Sequence, residues 1–384
     1  MSAYELAEEL ANAIRDAKDI ATVYAAIPAG QRTGLSLDQF QQYIKLLRRG
    51  MPGNILSFSP LSATDVADTR KKILERLPGE TQADELLGFW IHYLEAGRTE
   101  GQFAIYIHQH EGLAYLSADW IKRILNLADF STLYFDAIDK GDTEALAALL
   151  QTGTWPKSVR LAKARQIIEY YQHNVSTGSD EYQITHIRID SLAFEEYGIT
   201  NPDQSKSASR TIELLAMPGG RFGISDSIPA ILQADDIRIR FNGQNLLDFI
   251  QADTGQPPIV RSANIENLLG PPLLHDDTNC QETTAGTRRL TLAYQNLNLN
   301  VLGTCSKHQY WTGQITRLNW ENPACSLTSG ISPGLSIYAL LELYPSADAN
   351  NYEIVGYYAK GTVHLKMTIQ NDRIAGIEMS WIAN

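Results

Sequence analysis

The chain has 384 residues, 44% hydrophobic and 20% charged, a globular balance that argues against wholesale disorder. Its 32 basic against 44 acidic residues leave a formal charge of −12, which excludes general nucleic-acid binding, because phosphate contacts need a basic face. No apolar run approaches the ~20 residues of a spanning helix, and the N-terminus is amphipathic rather than a basic-then-apolar signal peptide.

In chain order, residues 4–49 read as helical: Leu6, Leu10, Ala13, Ile14 and Ala17 recur at helix spacing, as do Phe40, Tyr43, Ile44 and Leu47. Asn54–Ser59, Leu86–Glu95 and Gln102–His110 are rich in aromatic and β-branched residues and read as strands, the last two joined by a Gly97–Gly101 hairpin. A similar order restarts near Asp129. Leu133, Phe135, Ala137 and Ile138 open a helix, Lys140-Gly141-Asp142 breaks it, and Ala164, Ile167, Ile168 and Tyr171 give another. Strands follow at Tyr182–Phe194, Ala208–Ala216 and Arg221–Ser225. Ala13-Ile14 answers Ala137-Ile138 at an offset of 124 residues, and Tyr43-Ile44 answers Ile167-Ile168 at the same offset. Residues 1–127 and 128–234 therefore read as two copies of one α+β unit, helices first and a curved antiparallel sheet after.

Ile237–Phe241 alternates strictly before Asn242-Gly243, a hairpin turn signal, and Ala252–Pro258 reads as a linker, so 235–258 is a hairpin and linker. Residues 259–384 carry a second repeat, 259–325 and 326–384. Each is a short helix (Ile265–Leu269, Ser336–Leu343) followed by antiparallel strands.

The segment Tyr134–Leu146 (YFDAIDKGDTEAL) resembles the helix pair of the nuclear transport factor two-like, or cystatin-like, cones. The turn Gly330–Gly334 and the helix end Leu343-Tyr344-Pro345 resemble the tandem units of β-lactamase inhibitor proteins and small outer-membrane assembly lipoproteins. The resemblance implies an exported or cell-envelope bacterial binding protein, a scaffold for a protein or envelope component. A signal or lipid anchor would then lie outside this sequence. The alternatives are a cytoplasmic protein, and a small-ligand binder or lyase/isomerase-type enzyme using a cone pocket. No catalytic set of either group maps onto these positions.

Chemistry candidates are few. Gly330-Ile-Ser-Pro-Gly334 fits the nucleophile-elbow spacing. However, the residue that should donate an oxyanion-hole N–H is Pro333, so a turn before a helix is the reading. His92, His108 and His110 form the main cluster. On one sheet face they would suit zinc with an open position, against the blander reading of a solvated face, and the metal stays undecided. Trp90 and Tyr106 could share that face as an aromatic ligand patch. Asp142 reads as a helix cap rather than a catalytic carboxylate. No phosphate-cradling glycine motif and no H-E-x-x-H occurs, so no cofactor is expected.

Tyr and Trp are enriched in the last part of the chain, where Tyr357 and Tyr358 point to opposite faces of a strand. A binding surface is expected there, with at most one of the two in the core. Cys280, Cys305 and Cys325 are either buried apolar residues or, after export, a disulfide plus one free thiol.

Overall fold

Ser2 opens the fold. Its hydroxyl accepts from Glu5 N at 3.2 Å while the Glu5 carboxylate accepts from Ser2 N at 2.7 Å, a capping box that starts α1 (Ala3–Asp16). After α2 (Ile20–Ala25), the same device at Ser36 and Gln39 starts α3 (Leu37–Arg49). The computed structural model describes the chain apart from residues 31, 52, 79–84, 95–99, 151–154, 175–182, 189–190, 200–207, 227, 229, 252, 276–280, 283–287, 306–310, 349–350 and 384. The chain is α+β, and every ladder between the strands below is antiparallel. It divides into two compact units, Met1–Trp155 with Ala164–Ser227, and Pro156–Lys163 with Ile228–Asn384.

In the first unit, β1 (Asn54–Pro60), α4 (Ala63–Arg76), β2 (Glu85–Leu94), β3 (Glu100–His110) and β4 (Leu113–Tyr115) follow the three helices. The four strands pair in chain order. Period-2 alternation separates the two faces. Phe89, Ile91, Phe103, Ile105 and Ile107 are buried, and Tyr4 of α1 packs its ring 6.4 Å from Phe89. The opposite face carries α4: a Cβ on Gly88 would meet Val66 and Leu61 at 3.1–3.2 Å, and the Tyr106 hydroxyl lies 3.1 Å from Thr69 Oγ1.

Next come α5 (Ala118–Asp139), α6 (Thr143–Leu149), α7 (Lys157–Asn174), β5 (Gln183–Arg188), β6 (Ser191–Ile199), β7 (Ala208–Met217) and β8 (Arg221–Asp226), the last four again paired in chain order. Asp142 caps α6, accepting from Ala145 N at 3.0 Å. Helix α5 runs unbroken for 22 residues from its Ser117 cap, so the 127/128 division lies inside it.

The second unit opens with the segment Ala230–Leu232, followed by the hairpin of β9 (Arg238–Phe241) and β10 (Gln244–Asp248). Its turn residues Asn242 and Gly243 have φ of 50° and 79°, the pair of positive values a tight hairpin turn requires. Then follow β11 (Ile259–Arg261), α8 (Ser262–Leu269), β12 (Leu274–His275), β13 (Gln281–Glu282), β14 (Arg288–Tyr294), β15 (Leu297–Cys305), β16 (Trp311–Trp320), β17 (Cys325–Leu327), α9 (Ile337–Leu343), β18 (Glu353–Tyr358), β19 (Gly361–Gln370) and β20 (Arg373–Ala383). β17 joins the β9–β10 hairpin. The rest build a nine-stranded sheet with the path β12-β14-β15-β16-β20-β19-β18, β11 adding to β16 and β13 to β14. Two meanders thus meet at their last strands, β16 and β20. Ala230 and Leu232 bond to Val355 of β18, at 3.1 and 3.0 Å.

Several aromatics of this unit fill its core: Tyr294, Trp311, Trp320 and Tyr344 are buried, as are Leu292, Leu299, Leu365 and Met379. Large rings bury the most apolar area per residue, and a sheet with short helices has few other groups of that size.

Candidate functional site: a cleft in the first unit

A cavity of about 820 Å³ lies in the first unit, on the α4 face of β2–β4. Four elements wall it. Helix α4 presents Arg70, Ile73 and Leu74, spaced three and four apart and so on one helix face, and its C-cap Leu77 adds to that wall. Its start is written in the sequence: Ser62 Oγ accepts from Asp65 N at 3.2 Å. Helix α5 contributes Trp120, Lys122, Arg123 and Asn126 from its first three turns. The ends of β2–β4 give Leu86, His108 and Tyr115, which lie side by side in the strand register, and the β7–β8 turn closes the end with Met217, Arg221 and Phe222.

His108 anchors the aromatic wall. It stacks on Tyr115 with centroids 5.3 Å apart and meets the Trp120 ring edge-on at 4.2 Å. Among the described lining residues Arg70, Lys122, Arg123 and Arg221 are cationic and Asp119 alone is acidic. Lys122 is partly committed, donating to Thr33 O at 2.9 Å and lying 3.5 Å from Asp119.

The predicted site residues are dispersed. His92 pairs with Gln102, whereas His108 pairs with Leu86. Six residues of strand, about 20 Å, therefore separate the two histidines. His92 Nε2 lies 2.8 Å from Ser59 Oγ, and His110 is exposed at the end of β3. Among the described residues no group of three or more His, Cys, Asp or Glu is placed to hold a metal. Trp90 is half-buried between Ala104 and Ser59, away from the cleft, and Tyr106 is engaged with Thr69. Only His108 of these lines the cavity. Tyr357 is 67% exposed and Tyr358 half-buried, as the alternation requires.

Two further clusters have catalytic spacing. In the first unit, His186 Nε2 lies 3.1 Å from Ser191 Oγ, which also accepts from Arg188 Nη2 at 3.1 Å. Arg188 and Arg76 both pair with Glu213 Oε1, at 3.3 and 3.4 Å. Burial, helped by the charges of Arg188, Arg76 and Lys72, pulls the His186 pKa down to about 3. Ser191 is 0% exposed, so no substrate reaches its hydroxyl and the pair is structural. On the outer face of the nine-stranded sheet, Glu353 Oε1 lies 2.6 Å from His364 Nδ1, and His364 Nε2 lies 3.2 Å from Thr362 Oγ1. That is a charge-relay order, but β19 is paired on both sides and its backbone N–H groups are committed to the ladders, leaving no oxyanion hole.

Sequence reading missed the cleft because it missed α4. With only Thr69 and Ile73 buried, that helix has a weak apolar stripe, and Ser62 with Asp65 was its one clear signal. Cys325 is free and buried, its thiol pushed up to about 12 by burial; Cys280 and the side chain of Cys305 lie outside the described residues. No helix among the described residues is long and apolar enough to cross a membrane. No family model, no curated protein and no solved structure matches this chain.

Proposed function

We propose that the chain is a non-enzymatic binding protein that takes a small ligand in the first-unit cleft. The observation that carries this is the cleft itself: about 820 Å³, within the range of small-molecule sites, with apolar and cationic side chains converging from four elements. The repeated order of helices followed by a four-stranded meander supports an internal duplication and the cone-like reading, with α4 an insertion in the first copy alone. The paired meanders of the second unit support the tandem-unit reading in the same way. Export to the cell envelope belongs to this proposal and rests on the resemblance of the segments Tyr134–Leu146 and Gly330–Pro345 alone.

The test is saturation-transfer NMR with a panel of small organic metabolites on the full chain. Binders are expected, and Leu74→Trp, which fills the cleft from a half-buried position, is expected to abolish them. No binders, or binders indifferent to L74W, would sink the reading. A second reading, protein binding by the C-terminal sheet, is favoured by one patch. Tyr357 and Ile382, 67% and 54% exposed, flank Thr362 on adjacent strands. Tyr357→Glu should abolish capture of such a partner from an envelope extract while leaving cleft ligands unaffected.

A further inference from the structure

We propose that the outer face of the nine-stranded sheet carries a second, separate binding site, a groove for an uncharged oligosaccharide. The groove, about 420 Å³, lies in the second unit where β15, β16, β20 and β19 run side by side. Those strands line it with Asn298, Arg317, Asn319, Thr368, Gly376 and Glu378.

Three of these residues are poor choices for a strand, since asparagine and glycine are both depleted there. Asn298 and Asn319 stand directly opposite one another, Asn319 in turn faces Glu378, and Gly376 follows two residues before it on β20. Local structure does not ask for them. Among the described residues neither the Asn298 nor the Asn319 side chain has a hydrogen-bond partner, whereas Asn300, next on that face, accepts from Thr291 Oγ1 at 3.2 Å. Gly376 lacks the positive φ that demands a glycine. A Cβ there would come no closer to backbone than 3.7 Å, at Trp320 O, whereas at Gly313 it would meet Leu302 O at 2.6 Å. Strand residues that break the local rule with no structural return mark a functional surface, and a strand glycine leaves room for a ligand to approach the backbone.

The lining selects the ligand class. An amide donates and accepts at once, as a sugar hydroxyl does, and two facing amides match neighbouring hydroxyls. Arg317 and Glu378 pair with each other, so their charges cancel, and Glu321 is the remaining charge among the described lining residues. An anionic ligand would meet no net attraction there. A protein partner would need an apolar anchor, and the groove's apolar residues Trp320 and Ile377 are 1% and 3% exposed. The same face continues through Ser380, His364 and Thr362 to the exposed ring of Tyr357 on β18, about 20 Å from Asn319 by strand rise and spacing. Several linked sugars reach from the amides to that ring, whose flat apolar face suits the C–H side of a pyranose.

The experiment titrates the full chain calorimetrically with cellohexaose, maltohexaose, laminarihexaose and chitohexaose, each beside its disaccharide, with polygalacturonate as the anionic counterpart. At least one hexasaccharide is expected to bind, more tightly than its disaccharide and without dependence on sodium chloride. Asn298→Thr with Asn319→Thr should weaken it about tenfold, the loss of a hydrogen bond or two. The same pair should leave urea stability unchanged or raised, because threonine is the better strand former. Tyr357→Ala should bring the hexasaccharide down to the affinity of its disaccharide. Lower stability of the double variant with sugar binding intact would make the amides structural and overturn the proposal. Tighter binding of polygalacturonate would overturn the uncharged class. Sugar binding lost in Leu74→Trp but indifferent to the asparagines would move the sugar to the first-unit cleft and overturn the groove while leaving the cleft reading standing. Binding of none of the sugars would overturn the site, and capture of an envelope protein lost in Tyr357→Glu would then make the face a protein surface.

Discussion

His186 is neutral in the folded protein because its surroundings are dry and positive. Its pKa of about 3 compares with an ordinary 6.5, so between those values the unfolded chain holds a proton that the folded chain refuses. Stability is therefore complete above pH ~6.5 and declines as pH falls toward 3, by about 2 kcal/mol at pH 5. Urea unfolding of His186→Gln should show a loss of stability between pH 7.5 and pH 5 that is smaller than that of the parent by about that amount. Equal slopes would mean that His186 is protonated in the fold. Asp236 poses the complementary case. It is 1% exposed, and its oxygens accept from Ser329 N at 2.8 Å and from the Tyr344 hydroxyl at 2.7 Å. Gln233 N in turn donates to the Tyr344 hydroxyl at 3.0 Å, and burial raises that hydroxyl's pKa, so it stays protonated as a donor. Tyr344→Phe strands a buried carboxylate oxygen and a backbone N–H, and should destabilise the second unit by roughly 3 kcal/mol. Double substitution with Asp236→Asn should recover part of it in a double-mutant cycle. The sequence singled out Tyr344 as part of a helix-end motif, but its partner Asp236 lies more than a hundred residues away and left no local trace.

At the scale of elements, α4 buries two of its fourteen residues. It buries Thr69 and Ile73, is capped by Ser62, touches Tyr106 through Thr69 and pairs Arg76 with Glu213. Removing the cap with Ser62→Ala should cost about 1 kcal/mol. Because α4 is one wall of the cleft, amide exchange should accelerate in α4 ahead of α1, and the affinity of cleft ligands should fall with it. Uniform acceleration across the unit would show that α4 opens only with the rest. Elements with strong local codes were legible in the sequence: the helical spacing of Leu6 to Ala17 and of Phe40 to Leu47, the Asn242-Gly243 turn and the alternating strand before it. Helix α5 was read short because its burial runs from Ala118 through Ile138 with two different sets of neighbours, α3 on one side and the second sheet on another. Its apolar pattern is too broad to mark a single face.

For the molecule as a whole, the three cysteines report the compartment. Denaturing thiol titration of protein purified from its native host should find one thiol if Cys280 and Cys305 are joined, and three if the chain is cytosolic. Native titration should leave Cys325 unreactive, since it is buried and its thiolate is suppressed. The sequence by itself determined the α+β class, the alternation within each strand and the acidic balance, because these follow from residue period and composition. Tertiary structure alone decided which residues meet. A histidine trio that looks compact in one dimension is spread along two strands, since register sets His92 against Gln102 rather than His108. The cleft joins residues 70, 108, 123 and 221, whose convergence depends on the packing of α4 and α5 and on where the β7–β8 turn falls. Long-range packing of that kind has no period to read, and so the site emerged only in three dimensions.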